Sequence, residues 1–143
     1  MKAITIWQPW AGLIAAGIKQ NETRSWATRY RGPIAIHAAQ KPMRVSWLTV
    51  VSDEAAEVIY RRLNLPEIFN GLNIFQTGCI VAIANLSDCI KITPEYISTL
   101  SDDELALGDY TPGRYAWKMT DIKKLDMPIP VKGRQGLWNW EKG

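Results

Sequence analysis

A chain of 143 residues fits one domain, residues 1–143, and at that size folding buries roughly two-thirds of the unfolded surface, so no disulfide or metal staple is required. Hydrophobic residues at 47% and charged residues at 22% exclude a disordered chain, and the absence of any run of about eighteen apolar residues excludes a spanning helix. The net charge of +3 is too small to mark a dedicated non-specific nucleic-acid binder.

Lys2 to Ile6 alternates and is β-branched, which predicts a strand. Pro9 stands where a helix can begin without losing a needed N–H; Trp10, Leu13 and Ile14 give that helix its apolar stripe, and Gly17 is placed to end it in a left-handed conformation. The next extended segment, Glu22 to Trp26, puts Glu22, Arg24 and Trp26 on one face and Thr23 and Ser25 on the other. Tyr30 to Pro33 reads as a turn, and Ile34 to Ala38 as a strand with His37 opposite Ile34 and Ile36. Ser52 caps a helix from Asp53 to about Leu63, braced by Glu57 and Arg61 one turn apart. Asn70-Gly71 marks a turn, and Cys79 to Leu86 is apolar enough for a strand buried on both faces. Thr93-Pro94 and Ser101-x-x-Glu104 predict two short helices, the second with a capping box. Arg114 to Met119 alternates with Tyr115, Trp117 and Met119 together; Pro128 and Pro130 bracket an edge-like stretch, and Gly136 to Trp140 gives a last strand carrying Trp138 and Trp140. Five or six strands that do not alternate regularly with helices predict an α+β fold, a small mixed and mostly antiparallel β-barrel with short helices around it.

The small net charge hides a partition. Residues 1–52 carry seven basic side chains against Glu22 alone, residues 53–109 ten acidic against three basic, and residues 110–143 seven basic against three acidic. From Thr23 to Ser52 there is no carboxylate, while Arg24, Arg29, Arg31, Lys41 and Arg44 alternate with Trp26, Tyr30 and Trp47. Cations that pair with phosphates, interleaved with flat faces on which bases stack, are the composition of a nucleic-acid surface; a solvated charged face has it too. Neither GxGxxG nor GxxxxGK[ST] is present, so phosphates would be held by side chains or isolated amides. Cys79 and Cys89 lack CxxC spacing and have one histidine, His37, for company; we expect reduced core cysteines, no metal and no cofactor. His37, among alanines in a strand, fits a structural role better than a catalytic triad. MKAITIWQPW shows no leader pattern, so a cytoplasmic location with no membrane partner is expected.

Lys19, Glu22 and Arg24 form the strongest local constellation. A lysine beside a carboxylate is an ordinary surface ion pair or, when desolvated in a concavity, a candidate base with a perturbed pKa. Glu22 could also meet Asp109 or Glu104 in space.

The segment ITIWQPWAGLIAAGIKQNETRSW, followed by YRGPIAIHAA, resembles an ASCH domain, named after homology to activating signal cointegrator-1. Gln8-Pro9-Trp10, the Gly-x-Lys-x-x-Glu-x-Arg pattern at Gly17, Lys19, Glu22 and Arg24, GRYAWKM at 113–119 and the ending KGRQGLWNW carry the resemblance, which covers nearly the whole chain. It implies a PUA-like barrel whose cleft floor includes Lys19, Glu22 and Arg24, and an association with RNA. Under that resemblance Arg24, Arg29, Arg31 and Arg114 would grip phosphate or a base edge, Trp26, Tyr30 and Trp117 would stack, and Lys19 with Glu22 would read polar base edges. Trp117, like Trp7, Trp138 and Trp140, could equally be core. The implied partners are RNA, single-stranded nucleic acid or a modified nucleoside.

The resemblance also implies enzymes: ribonucleases, and amidohydrolases that deacetylate N4-acetylcytidine. Those amidohydrolases resemble Gly-x-Lys-x-x-Thr-x-Arg, with lysine activating the threonine; here Glu22 occupies that position, and Thr23 falls on the opposite face of a strand. A catalytic role for Lys19 and Glu22 would therefore run through general-base activation of water. For ribonuclease chemistry Lys19, Glu22 and His37 are the available acid and base types. A protein-interaction module is the third reading.

Overall fold

Six strands form one mixed sheet in the order β2-β5-β4-β3-β1-β6 in the computed structural model, which describes residues 1–40, 51–63 and 75–141. In chain order the elements are β1 (Lys2–Ile6), α1 (Trp10–Ala15), β2 (Asn21–Arg24), β3 (Gly32–Ala38), α2 (Asp53–Arg62), β4 (Cys79–Lys91), α3 (Pro94–Ile97), α4 (Asp102–Ala106), β5 (Tyr115–Pro130) and β6 (Leu137–Asn139). Only β1 and β3 pair in parallel, joined by a crossover through α1 and β2; the other pairings are antiparallel. The sheet curls into a half-barrel, open between its edge strands β2 and β6.

Helix α1 plugs the concave side. Ala11 to Ala15 are all buried, and Ile14 joins Ile4, Ile6, Ile34, Ile36, Leu86, Trp117 and Met119 in the main core. Each fully buried aliphatic side chain there contributes about 1.5–3 kcal/mol. Leu13 points the other way, into a second cluster with Ala55, Val58, Ile59 and Leu107 that seats α2 and the end of α4 on α1. On the far side of the sheet Trp138 and Trp140 pack on Ala3, Ala35 and Ile80, so both are core residues.

Five predicted boundaries differ from the structure: the turn expected at Tyr30–Pro33 gives its last two residues to β3, where Gly32 and Pro33 pair with Leu86 and Asn85, and four others follow. The strand expected at Glu22–Trp26 is Asn21–Arg24; its partner β5 begins opposite Arg24 at Tyr115, and Ser25 and Trp26 lie in a bend beyond the ladder. The strand beginning at Cys79 runs on to Lys91, past its apolar half, because β5 continues to pair with it. The proline stretch is not separate: Pro128 and Pro130 lie within β5. Both stand at even positions on the side that β2 leaves uncovered, while Val131 N–H turns back to bond Gly78, so the missing N–H groups interrupt nothing. The last strand is three residues, Leu137–Asn139. The Asn70-Gly71 turn, Lys41, Arg44 and Trp47 lie outside the described residues.

Candidate functional site

The end of α1 aims Lys19. Gly17 adopts φ +76°, the N–H of Gly17 bonds Ile14 O and that of Ile18 bonds Leu13 O, the paired bonds of a Schellman ending. The chain therefore turns inward, and Lys19 ends 2% exposed with its Nζ 5.9 Å from the Trp10 ring centroid. Backbone approaches closely here: a Cβ on Gly108 would stand 3.2 Å from Lys19 Nζ and 2.8 Å from Tyr110 Cε2. Burial pushes the Lys19 pKa down, and the carboxylates of Glu22 and Glu104 push it back up.

Glu104 is the carboxylate that local sequence misassigns. Ser101 Oγ caps the Glu104 N–H as predicted, but the Glu104 side chain turns to the start of β2 instead of back to Ser101. It accepts from the N–H of Gln20 (2.8 Å), the N–H of Asn21 (3.4 Å) and the hydroxyl of Tyr110 (2.9 Å). Asn21 Nδ2 donates to the Tyr96 and Tyr110 hydroxyl oxygens at 3.0 and 3.1 Å, closing a buried network beneath Lys19. Burial and the neighbouring Glu104 hold the Tyr110 phenol far above its ordinary range.

Glu22 and Arg24 alternate with buried Asn21 and Thr23 along β2 and are only partly exposed, their side chains 12% and 24% accessible. Arg24 Nε donates to Glu22 Oε2 at 3.1 Å and its Nη2 to Thr5 O at 2.8 Å, so the guanidinium is fixed between β2 and β1. Together Trp7, Trp10, Lys19, Glu22, Arg24 and Asp109 line a cleft of about 540 Å³. Glu22 and Asp109 thus share one cavity, with Glu104 buried behind it. Filling the Gly108 gap is expected to be felt by both stability and the cleft. Gly108→Ala should lose about 1–3 kcal/mol in urea denaturation, the usual cost of overpacking, while an unchanged midpoint would mean that Tyr110 moves aside freely.

A second compartment of about 800 Å³ shares Thr5, Trp7 and Arg24 with the first and adds Trp26, His37 and the loop 132–136. His37 is 1% exposed and both ring nitrogens are engaged. Nε2 lies 2.7 Å from Val131 O, which can only accept, so Nε2 carries the proton; Nδ1 then accepts from the Thr5 hydroxyl at 3.2 Å, which accepts in turn from Trp138 Nε1 at 3.1 Å. This geometry makes His37 a strut and removes it from the acid and base candidates for ribonuclease chemistry. Burial lowers its pKa, partly opposed by the bond to Val131. The unfolded chain then binds a proton more readily than the native one, so stability is full above a pH of about 6.5 and falls as pH drops toward the native pKa. Since His37 is the only histidine, urea midpoints measured between pH of about 7 and 5.5 should fall, and His37→Gln should flatten that slope.

The structure brings Lys19, Glu22, Arg24 and Trp26 to these two compartments, and does not bring the other expected residues there. Trp117 is fully buried: its indole N–H donates to Trp26 O at 3.2 Å and its ring meets Trp26 edge-on at 4.8 Å, so it presents no stacking face. That corrects its assignment as a stacking residue; α1 and Trp26 cover the face that alternation left open. Arg31 is paired with Asp88 at 3.7 Å and donates to the carbonyls of Thr28 and Tyr30, Tyr30 donates its hydroxyl to Pro33 O, and Arg29 is exposed beside them. Arg114 is held by Asp109 at 3.4 Å and donates to Thr23 O. None of these four lines either compartment. Asp109 shares the cleft with Glu22, one of the two meetings expected; sequence reasoning missed Trp10, Lys132 and Arg134 as lining residues, and left Trp7, 58% exposed, with the core candidates. Among the described residues no group of three or more His, Cys, Asp or Glu could hold a metal ion, and no helix is long and apolar enough to cross a membrane.

Comparison with known proteins gives a consistent placement. Residues 4–129 match the ASCH domain family. Activating signal cointegrator 1 of Homo sapiens is 27% identical over 140 residues, 94% of this chain, and the Mus musculus protein matches equally; the chain spans 21% of the length of each. A crystal structure of a mutant ZmASCH protein from Zymomonas mobilis aligns with a TM-score of 0.56 over 99% of this chain and 90% of that one; at 15% identity the likeness is one of fold, PUA-like. Matched sequence over most of the chain and a shared half-barrel agree: this chain belongs to the ASCH domain family.

Proposed function

We propose that the cleft built on Lys19, Glu22 and Arg24 binds single-stranded nucleic acid or a modified nucleoside. ASCH domains are generally nucleic-acid-binding PUA-like folds. The observation that carries the reading to this cleft is its composition: a buried lysine and a fixed Glu22–Arg24 pair on the floor, with Trp7 and Trp10 in the walls. Glu22 accepts from and Lys19 donates to base edges, and an indole provides a stacking face worth about 1–3 kcal/mol per base. Arg29, Arg31 and Arg114 add only to the long-range field that draws a polyanion in. The module works without cofactor or metal, in the cytoplasm.

One observation favours a second reading. Lys19 is desolvated beside a carboxylate inside a cleft, the environment of a catalytic group. In that reading Glu22 activates water and Lys19 stabilises the oxyanion as an acylated nucleoside such as N4-acetylcytidine is hydrolysed. Tryptophan fluorescence during titration with cytidine, N4-acetylcytidine and a short single-stranded RNA, with chromatography of the same samples, separates the readings. Quenching by RNA with the acetyl group intact supports binding alone; acetate release abolished by Glu22→Gln and Lys19→Ala supports the hydrolase. Binding of none of the three at moderate salt removes both and leaves a protein-interaction module.

A further inference from the structure

Resting on that reading of the first compartment, we propose that the second compartment is a phosphate subsite, so that the ligand is a phosphorylated nucleotide or a strand and not a free nucleoside. The two compartments differ in charge. The first holds Glu22 and Asp109 against Lys19 and Arg24; the second holds Arg24, Lys132 and Arg134 and no carboxylate. Among the described residues no ion pair involves Lys132 or Arg134, so their charge is open to a ligand. Such a cavity is matched to an anion and the first to the polar edge of a base.

The loop that carries these cations is pinned. Val131 N–H bonds Gly78 O and Val131 O accepts from His37 Nε2, fixing the residue before Lys132. Gly133, between the two cations, lies flat on the histidine: a Cβ there would stand 2.5 Å from His37 Cε1 and 2.7 Å from Thr5 Oγ1. Gly136, at φ +69°, turns the chain away into β6. Lys132 and Arg134 are therefore presented from a fixed backbone, which lowers the entropy lost on binding. Arg24 stands in the shared wall, tied to Glu22 on one side and Thr5 on the other, so a ligand reaching both compartments passes it. Trp26, 38% exposed, and Trp7 flank that passage with flat faces. A nucleotide with its base over Lys19 and Glu22 sets its phosphate against Lys132 and Arg134.

The test titrates wild type and Lys132→Ala/Arg134→Ala with four ribonucleosides, their 5′- and 3′-monophosphates, a ten-nucleotide single-stranded RNA and inorganic phosphate. Both substituted side chains are exposed, so the variant should fold. In wild type a monophosphate should bind about tenfold or more tighter than its nucleoside, as expected for charge-assisted contacts. The variant should lose that preference while keeping nucleoside affinity, and its RNA salt slope should fall by about 0.7 for each cation removed. Inorganic phosphate should compete with the monophosphate and not with the nucleoside. A monophosphate preference that is absent, or that survives in the variant, overturns the subsite. Where monophosphates bind too weakly to titrate, an RNA affinity and salt slope unchanged in the variant overturn it equally. Inorganic phosphate that binds without any nucleotide preference shows an anion site unconnected to the cleft, which also overturns it. Failure of the cleft reading looks different: no nucleoside, nucleotide or RNA then binds wild type at all.

Discussion

Glu104→Leu is expected to destabilise the protein by about 3–5 kcal/mol, the loss that follows when one partner of a buried charge pair is removed. The carboxylate is 6% exposed and meets three donors, the N–H groups of Gln20 and Asn21 and the Tyr110 hydroxyl, besides compensating the buried Lys19. All three would be left without an acceptor, and each unsatisfied buried group costs about 1–3 kcal/mol. Glu104→Gln retains an acceptor oxygen and should lose less. Urea unfolding followed by tryptophan fluorescence reads the difference, and a Glu104→Leu loss below about 1 kcal/mol would mean that the network is hydrated and not structural.

Lys19→Met should lower stability and function together. Replacing a buried ammonium by an apolar chain of similar length removes its desolvation cost but leaves the buried Glu104 carboxylate without that cation, so stability should fall, by up to about 3–5 kcal/mol. The same change removes a charged donor from the cleft floor, worth about 1.5–3 kcal/mol to a hydrogen-bonded ligand, and RNA affinity should fall roughly tenfold to a hundredfold. In the double variant with Glu104→Leu, part of the stability loss should disappear, because no uncompensated ammonium remains; the mutant cycle measures that coupling. Stability lost together with unchanged affinity would make Lys19 structural.

Much of this was legible in short stretches because local chemistry decided it. Gly17 ends α1 in the left-handed region, and Thr93, Ser101 and Ser52 cap as their spacing says, since each needs only its own neighbours. Lys19, Glu22 and Arg24 lie within one turn and one strand, so their convergence follows from chain geometry. Trp117 failed for the opposite reason: alternation tells which residues share a face, and only the packing of α1 and Trp26 decides that this face is closed. Glu104 looked like half of a capping box because nothing near it in sequence shows that β2 offers two N–H groups to the same carboxylate. Lys132 and Arg134 stood in the sequence only as part of KGRQGLWNW; the structure sets them at the second compartment, where His37, about a hundred residues earlier, fixes the loop through Val131.

The site assignment rests on where a ligand touches, and the indole N–H resonances report that directly. In a ¹H–¹⁵N spectrum of the labelled protein titrated with the ten-nucleotide RNA, the Trp7, Trp10 and Trp26 indole signals should shift together and saturably, while Trp140, buried on the far face of the sheet, stays in place. Saturable shifts confined to Trp140, or a bound RNA that leaves Trp7 and Trp10 unmoved, would place the nucleic acid elsewhere and contradict the cleft.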